Sequence, residues 1–253
     1  MGFVITLEAP PRRIVSLVPS QTELLFDLGL EDQIVGVTKF CVHPDRARKT
    51  KTIIGGTKKF DLDRIVSLQP DLIIGNKEEN YPEGIEFLRS RFSVWMSDIE
   101  DVEGALAMIA EVADLTGKAA EGTSLISRIR ERFQSAGKLP PRRTLYLMWY
   151  DPWMAAASGT FIHAMMREVG LVNVLENRSR YPVLTVEDMV ALQPELVLLS
   201  SEPFPFMEKH HAELRKFLPK ASIQHVDGEY FSWYGSRLLL VPDYLKELKQ
   251  LFG

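Results

Sequence analysis

Cysteine, long apolar runs, excess positive charge and catalytic signatures are all scarce in this chain. Cys41 is the only cysteine among 253 residues, which excludes an internal disulfide and leaves the compartment open. No apolar run reaches the roughly eighteen residues that a spanning helix needs. The opening residues lack a charged start followed by an apolar stretch, so the expectation is either a cytoplasmic protein or a mature form whose export signal has been removed. Thirty Lys and Arg against 34 Asp and Glu give a net charge of -4, which argues against a nucleic-acid surface. No Gly-x-Ser-x-Gly elbow, phosphate loop, Gly-x-Gly-x-x-Gly after a strand or His-Glu-x-x-His is found, and the reading is therefore of a protein that is not an enzyme.

What is present is a globular α/β pattern. Hydrophobic residues make up 45% and charged residues 25%, enough for a sizeable core and ordinary for a folded domain. Arg13-Ile-Val-Ser-Leu-Val18 is apolar at nearly every position and β-branched, the pattern of a strand buried on both faces. Helical and strand segments then alternate with short connections, which predicts parallel sheets. The phrase from Asp63 to Ile74 returns from Glu187 to Leu198, with five of twelve positions identical. Arg143 onward likewise matches Arg13 onward, and Gly170-Leu171 matches Gly29-Leu30. An offset of 124 residues is no solenoid period; it predicts two lobes of similar design.

Between the two copies, apolar residues recur at gaps of three and four from Ile99 to Phe133, the spacing of one amphipathic helix over Ile99–Gln134. Ser97 with Glu100 three residues on reads as a capping-box start, and Leu139-Pro140-Pro141 as the stop. Such a helix would be about 50 Å long, and Gly104, Gly117 and Gly122 weaken it, so a break near Gly117 stays open. The expected fold is α/β: two similar parallel-sheet lobes, residues 1–97 and 139–253, joined by one long helix within 98–138, with a ligand cleft between the lobes.

Ligands of parallel α/β sheets bind at the carboxyl ends of the strands. Here those ends carry aromatic and polar loops: Lys39-Phe40-Cys41, Thr57 to Phe60 and Asn76 to Tyr81, then Trp149 to Trp153, Ser200 to Phe206 and Tyr230 to Arg237. Rings supply contact area at low entropy cost and polar groups fix orientation, a mixture suited to a large, partly flat ligand. Cys41 and His43 are good metal-ligand types, and Glu78 and Glu79 could add carboxylates, but two ligands do not make a site, so these four stand as weak metal candidates only. His210-His211 reads as an exposed helix face, and His163 and His225 as structural. Lys39, Lys58, Lys59, Lys77 and Arg237 are either solvated or partners for ligand carboxylates.

The phrases Arg13-Ile-Val-Ser-Leu-Val-Pro-Ser20 with Thr22-Glu23, Ile34-Val-Gly-Val-Thr38 and Ile65-Val-x-Leu-x-Pro-Asp-Leu-Ile74, followed by the long helical stretch, resemble the substrate-binding proteins of ABC importers for cobalamin, haem and iron-siderophores. The likeness covers nearly the whole chain and lies closest to the cobalamin-binding branch. It implies capture of a corrinoid, haem or iron chelate, with no intrinsic cofactor, and delivery to an ABC transporter permease by a periplasmic monomer. It also implies ligand contacts from Phe40, Phe60, Asn76 and Tyr81 in the first lobe and from Trp149, Phe204, Trp233 and Arg237 in the second. Glu83 is its candidate for docking to the permease, with Glu208 or Glu229 as the second-lobe counterpart. Two alternatives remain: a cytoplasmic sensor, carrier or enzyme that reuses the fold, and a direct metal-ion receptor.

Overall fold

A computed structural model describes residues 5–252. The chain divides into two compact units. The first comprises the chain to Ile99, Glu103–Glu131 and Trp233–Leu239; the second comprises Glu100–Val102, Arg132–Ser232 and the chain from Leu240.

The first unit is built on a five-stranded, all-parallel sheet of β1 (Ile14–Ser16), β2 (Ile34–Val37), β3 (Thr52–Ile53), β4 (Leu72–Asn76) and β5 (Val94–Ser97), in the order β3-β2-β1-β4-β5. Its helices are α1 (Pro19–Asp27), the short α2 (Ala47–Thr50), α3 (Leu62–Ser67), α4 (Pro82–Arg89), α5 (Val102–Leu115) and α6 (Ala119–Ala136), the last running on into the second unit. The central strands β1 and β4 are buried at every position, as a parallel sheet covered on both faces requires.

The helix expected from Ile99 to Gln134 is two helices. Gly117 takes φ +71°, a left-handed conformation that ends α5 and that side-chain-bearing residues resist. Beyond it α6 folds back along α5. Gly122 packs so closely on Ala113 that a Cβ would overlap the alanine methyl, and Arg130 pairs with Glu103 at 2.6 Å. In an unbroken helix those two residues would stand about 40 Å apart. Ser97 is not a cap either: it ends β5, buried, with its hydroxyl bonded to the Asn76 and Gln21 amides.

The second unit is centred on β6 (Arg143–Trp149), with β7 (Met154–Ala155), β8 (Val172–Asn173), β9 (Leu196–Ser200) and β10 (Ser222–Val226). Strands β8 and β9 pair parallel to β6, and β10 pairs parallel to β9. The sheet is mixed rather than purely parallel, because β7 runs antiparallel to β6: only four residues join the two strands, too few for a parallel crossover. The helices are α7 (Phe161–Glu168), α8 (Val186–Leu192), α9 (Glu208–Phe217), α10 (Glu229–Ser232) and α11 (Val241–Phe252).

The sequence repeat is a structural repeat down to single hydrogen bonds. In the first unit, Asp71 accepts from the Arg12 and Arg13 amides, and the Arg13 guanidinium donates to the Leu68 carbonyl at the end of α3. In the second, Glu195 accepts from the Arg143 amide, and Arg143 donates to the Leu192 carbonyl at the end of α8. Gln69 and Gln193 hold matching left-handed turns, φ 45° and 46°, just before the two prolines. Gly29 and Gly170 end α1 and α7 with positive φ, and the following leucine in each donates to the carbonyl five residues back, the Schellman arrangement.

Candidate functional site

In the first unit the carboxyl ends of the strands are tied together by amides. Asn76 closes β4. Its Oδ1 accepts from the Glu78 and Glu79 amides at 2.8 and 3.2 Å, and its Nδ2 donates to Ser97 Oγ at 3.0 Å. Asn80, which the sequence did not single out, accepts from the Asn76 amide and donates to the Thr57 and Leu17 carbonyls, joining three loops. Asn76, expected among the ligand contacts, is thus buried and committed to loop geometry. Phe60 is buried against Tyr81, ring centroids 4.6 Å apart. The Tyr81 ring lies on Gly84 at the start of α4, where a Cβ would overlap it. Burial, with the nearby Glu83 carboxylate, pushes the Tyr81 hydroxyl pKa up. Glu83 stands exposed in the first turn of α4. Phe40 is 49% exposed.

Trp233 and Arg237, expected with the second lobe, pack in the first unit. Both Arg237 Nε and Nη2 donate to Glu23 of α1, at 2.9 and 2.7 Å, and the guanidinium lies 4.8 Å from the Trp233 ring centroid. Burial raises the Glu23 pKa and the arginine opposes that rise. The His43 ring meets Trp233 edge-on at 5.4 Å. Cys41 is fully buried, its Sγ 3.1 Å from Thr22 Oγ1 and 3.3 Å from Thr38 Oγ1, and burial pushes its thiol pKa up. That is the reverse of what a thiolate ligand needs. Among the described residues no group of three or more His, Cys, Asp and Glu is placed to hold a metal ion, so Cys41, His43, Glu78 and Glu79 do not assemble into a centre.

In the second unit Trp149 ends β6, 39% exposed, with its ring 5.6 Å from Phe204. Behind them Tyr150, Trp153, Phe206 and His210 complete a ring cluster with centroid spacings of 4.7 to 6.1 Å. Here the reading of His210 as exposed is overturned. His210 is buried, and its Nδ1 accepts from the Met207 amide at 2.9 Å, so from the third helical position it satisfies a backbone donor at the start of α9. Burial lowers its pKa. The Tyr150 hydroxyl donates to Glu213, and that bond raises its pKa. No local signal in the sequence distinguishes His210 from its exposed neighbours, since its burial comes from rings on two other loops.

Each unit therefore offers aromatic surface at the carboxyl ends of its strands, held by loops tied through side-chain hydrogen bonds. The periplasmic binding protein family model matches residues 14–220, and the chain belongs to that family. A vitamin B12-binding protein of Vibrio vulnificus is 25% identical over 208 residues, covering 78% of this chain and 75% of its own. The fold is shared with the periplasmic vitamin B12 binding protein BtuF of Vibrio cholerae, with a TM-score of 0.79 at 20% identity over 96% of this chain and 98% of that one. It is shared equally with the periplasmic heme-binding protein RhuT of Roseiflexus sp. RS-1, with a TM-score of 0.82 at 22% identity over 94% and 98%. These relatives are named as binding proteins, not enzymes. No helix among the described residues is long and apolar enough to cross a membrane.

Proposed function

We propose that this protein binds a corrinoid, haem or related iron chelate in the periplasm and delivers it to an ABC transporter permease, the chelate being cargo and not a resident cofactor. The observation that carries the reading is the pair of aromatic faces at the strand ends in a chain of this family: Phe40 and Tyr81 in one unit, Trp149 and Phe204 in the other. Phe60, Asn76, Trp233 and Arg237 act behind them, holding the loops that present those rings. Titration with cyanocobalamin and with haem, followed by tryptophan fluorescence, tests this. Saturable quenching by one of them, weakened about tenfold or more in Trp149→Ala, is expected, because a stacked ring contributes on the order of 1–2 kcal/mol. Absence of saturable binding by both overturns the reading.

The repeat also supports a docking pair. Helix α4 follows β4 and α9 follows β9, the two strands that carry the repeated phrase, so Glu83 in the first turn of α4 has its counterpart in Glu208, the first residue of α9. Glu229 follows β10 and has no such correspondence. Both glutamates are exposed. The double variant Glu83→Ala, Glu208→Ala is expected to keep its ligand affinity and to lose stimulation of the reconstituted transporter's ATPase; full stimulation by the double variant contradicts the pairing.

A further inference from the structure

The loops at the strand ends of the first unit carry five cations that could meet a ligand, and the structure separates them. Arg237 is committed to Glu23. Lys77 Nζ sits 2.7 Å from Asp98. Lys58 donates to the Glu78 carbonyl. Lys39 and Lys59 are left, both exposed and neither with a carboxylate partner among the described residues.

These two lysines flank one platform. The Lys39 amide donates to the Gly55 carbonyl at 2.8 Å, and the Gly56 amide donates to the Lys59 carbonyl at 2.9 Å, so both are fixed to the same turn. Phe40 lies over that turn. Gly56 gives it room: a Cβ there would come within 3.2 Å of Phe40 Cε2 and 3.6 Å of Lys39 Cε. The Lys39 ammonium stands 5.0 Å from the Phe40 ring centroid. Arg48 adds a third cation, donating to the Lys39 carbonyl at 3.3 Å. A half-exposed ring with one ammonium 5.0 Å from its centroid and two more cations anchored to the same turn and its neighbour matches a flat ligand with anionic groups at its edge. A periphery of neutral amides would gain the stacking and forgo the charge.

We propose that Phe40, Lys39 and Lys59 select a macrocycle or chelate bearing peripheral carboxylates, the ring stacking on the ligand and the two ammonium groups pairing with its edge. This rests on the reading of the protein as a binder of such chelates and names which of them it takes. Exposed ion pairs are individually modest and salt-screened, so two together correspond to about a tenfold preference.

The test holds the macrocycle constant and changes only its edge. Dicyanocobyrinic acid carries carboxylates where dicyanocobinamide carries amides. Titrating the whole protein with each, by calorimetry at low and high salt, is expected to show the acid binding about tenfold more tightly. That ratio is expected to collapse toward one with added salt and in Lys39→Gln, Lys59→Gln. Equal or tighter binding of the amide corrinoid overturns the selectivity and leaves the chelate-binding reading standing. A preference for the acid that survives the double variant overturns the assignment to these lysines. No binding of either corrinoid, nor of haem, overturns both.

Discussion

Single residues carry two sharp consequences. His210 accepts the Met207 amide through Nδ1 and lies among the rings of Tyr150, Phe204 and Phe206. Protonation would place a hydrogen on the accepting nitrogen and a charge among apolar rings. Lys209 and His225 disfavour that charge and Glu213 favours it, but burial is the largest influence and the pKa falls below the ordinary imidazole value. A base whose pKa is lower folded than unfolded contributes stability above its unfolded pKa and loses it as pH falls through the folded one. The urea midpoint is therefore expected to drop as pH falls below roughly 6.5. His210→Gln, which keeps a third-position acceptor for the cap but does not titrate, should flatten that drop; an unchanged pH profile in the variant contradicts the assignment. The second consequence concerns Arg237. Removing it leaves the Glu23 carboxylate buried without its cation, and Arg237→Ala is expected to destabilise the protein by about 3 kcal/mol in denaturant titration. A loss below about 1 kcal/mol would show that the pair is solvated in solution.

At the scale of elements, the repeated phrase encodes a helix, a left-handed turn and a strand, twice. Gln69 and Gln193 occupy the turn, so a β-branched residue there meets the steric cost of the left-handed region. Gln69→Val and Gln193→Val should each lose about 1–2 kcal/mol, and the glycine substitutions much less; a tolerated valine would contradict the equivalence. Gly117→Ala should likewise cost about 1 kcal/mol by straining the break between α5 and α6, readable in the thermal midpoint. The repeat was legible in the sequence because its parts are local: a repeated Leu-Gln-Pro, paired Gly-Leu helix ends, strands of continuous apolar residues. The helical hairpin was half legible. The period of three and four runs straight through Gly117, and the pattern alone does not show that the apolar face turns back on itself at Ala113 and Gly122. What stayed hidden depends on partners far along the chain. Asn80 reads as an ordinary loop polar residue until three loops converge on it, and the segment Trp233–Leu239 gives no local sign that it packs with α1, 214 residues earlier at the Arg237–Glu23 bond.

For the whole molecule, family membership and the two aromatic faces agree on a binding function, and the chemistry of the faces agrees with it from a different direction. Polar groups at the strand ends are largely consumed in holding loops: the Asn76 and Asn80 amides, Ser97, the Glu23–Arg237 pair. Cys41 is buried and hydrogen-bonded. The exposed or half-buried groups there include Phe40, Tyr81, Trp149, Phe204 and lysines, a set suited to stacking and charge pairing. The most direct test of this account is calorimetric titration of the purified protein with haem and with cyanocobalamin in parallel. The account predicts saturable, one-to-one binding of at least one of them, abolished or weakened at least tenfold in a Phe40→Ala, Trp149→Ala variant that melts like the parent. Failure of both ligands to bind, or binding that the double variant leaves untouched, would contradict it.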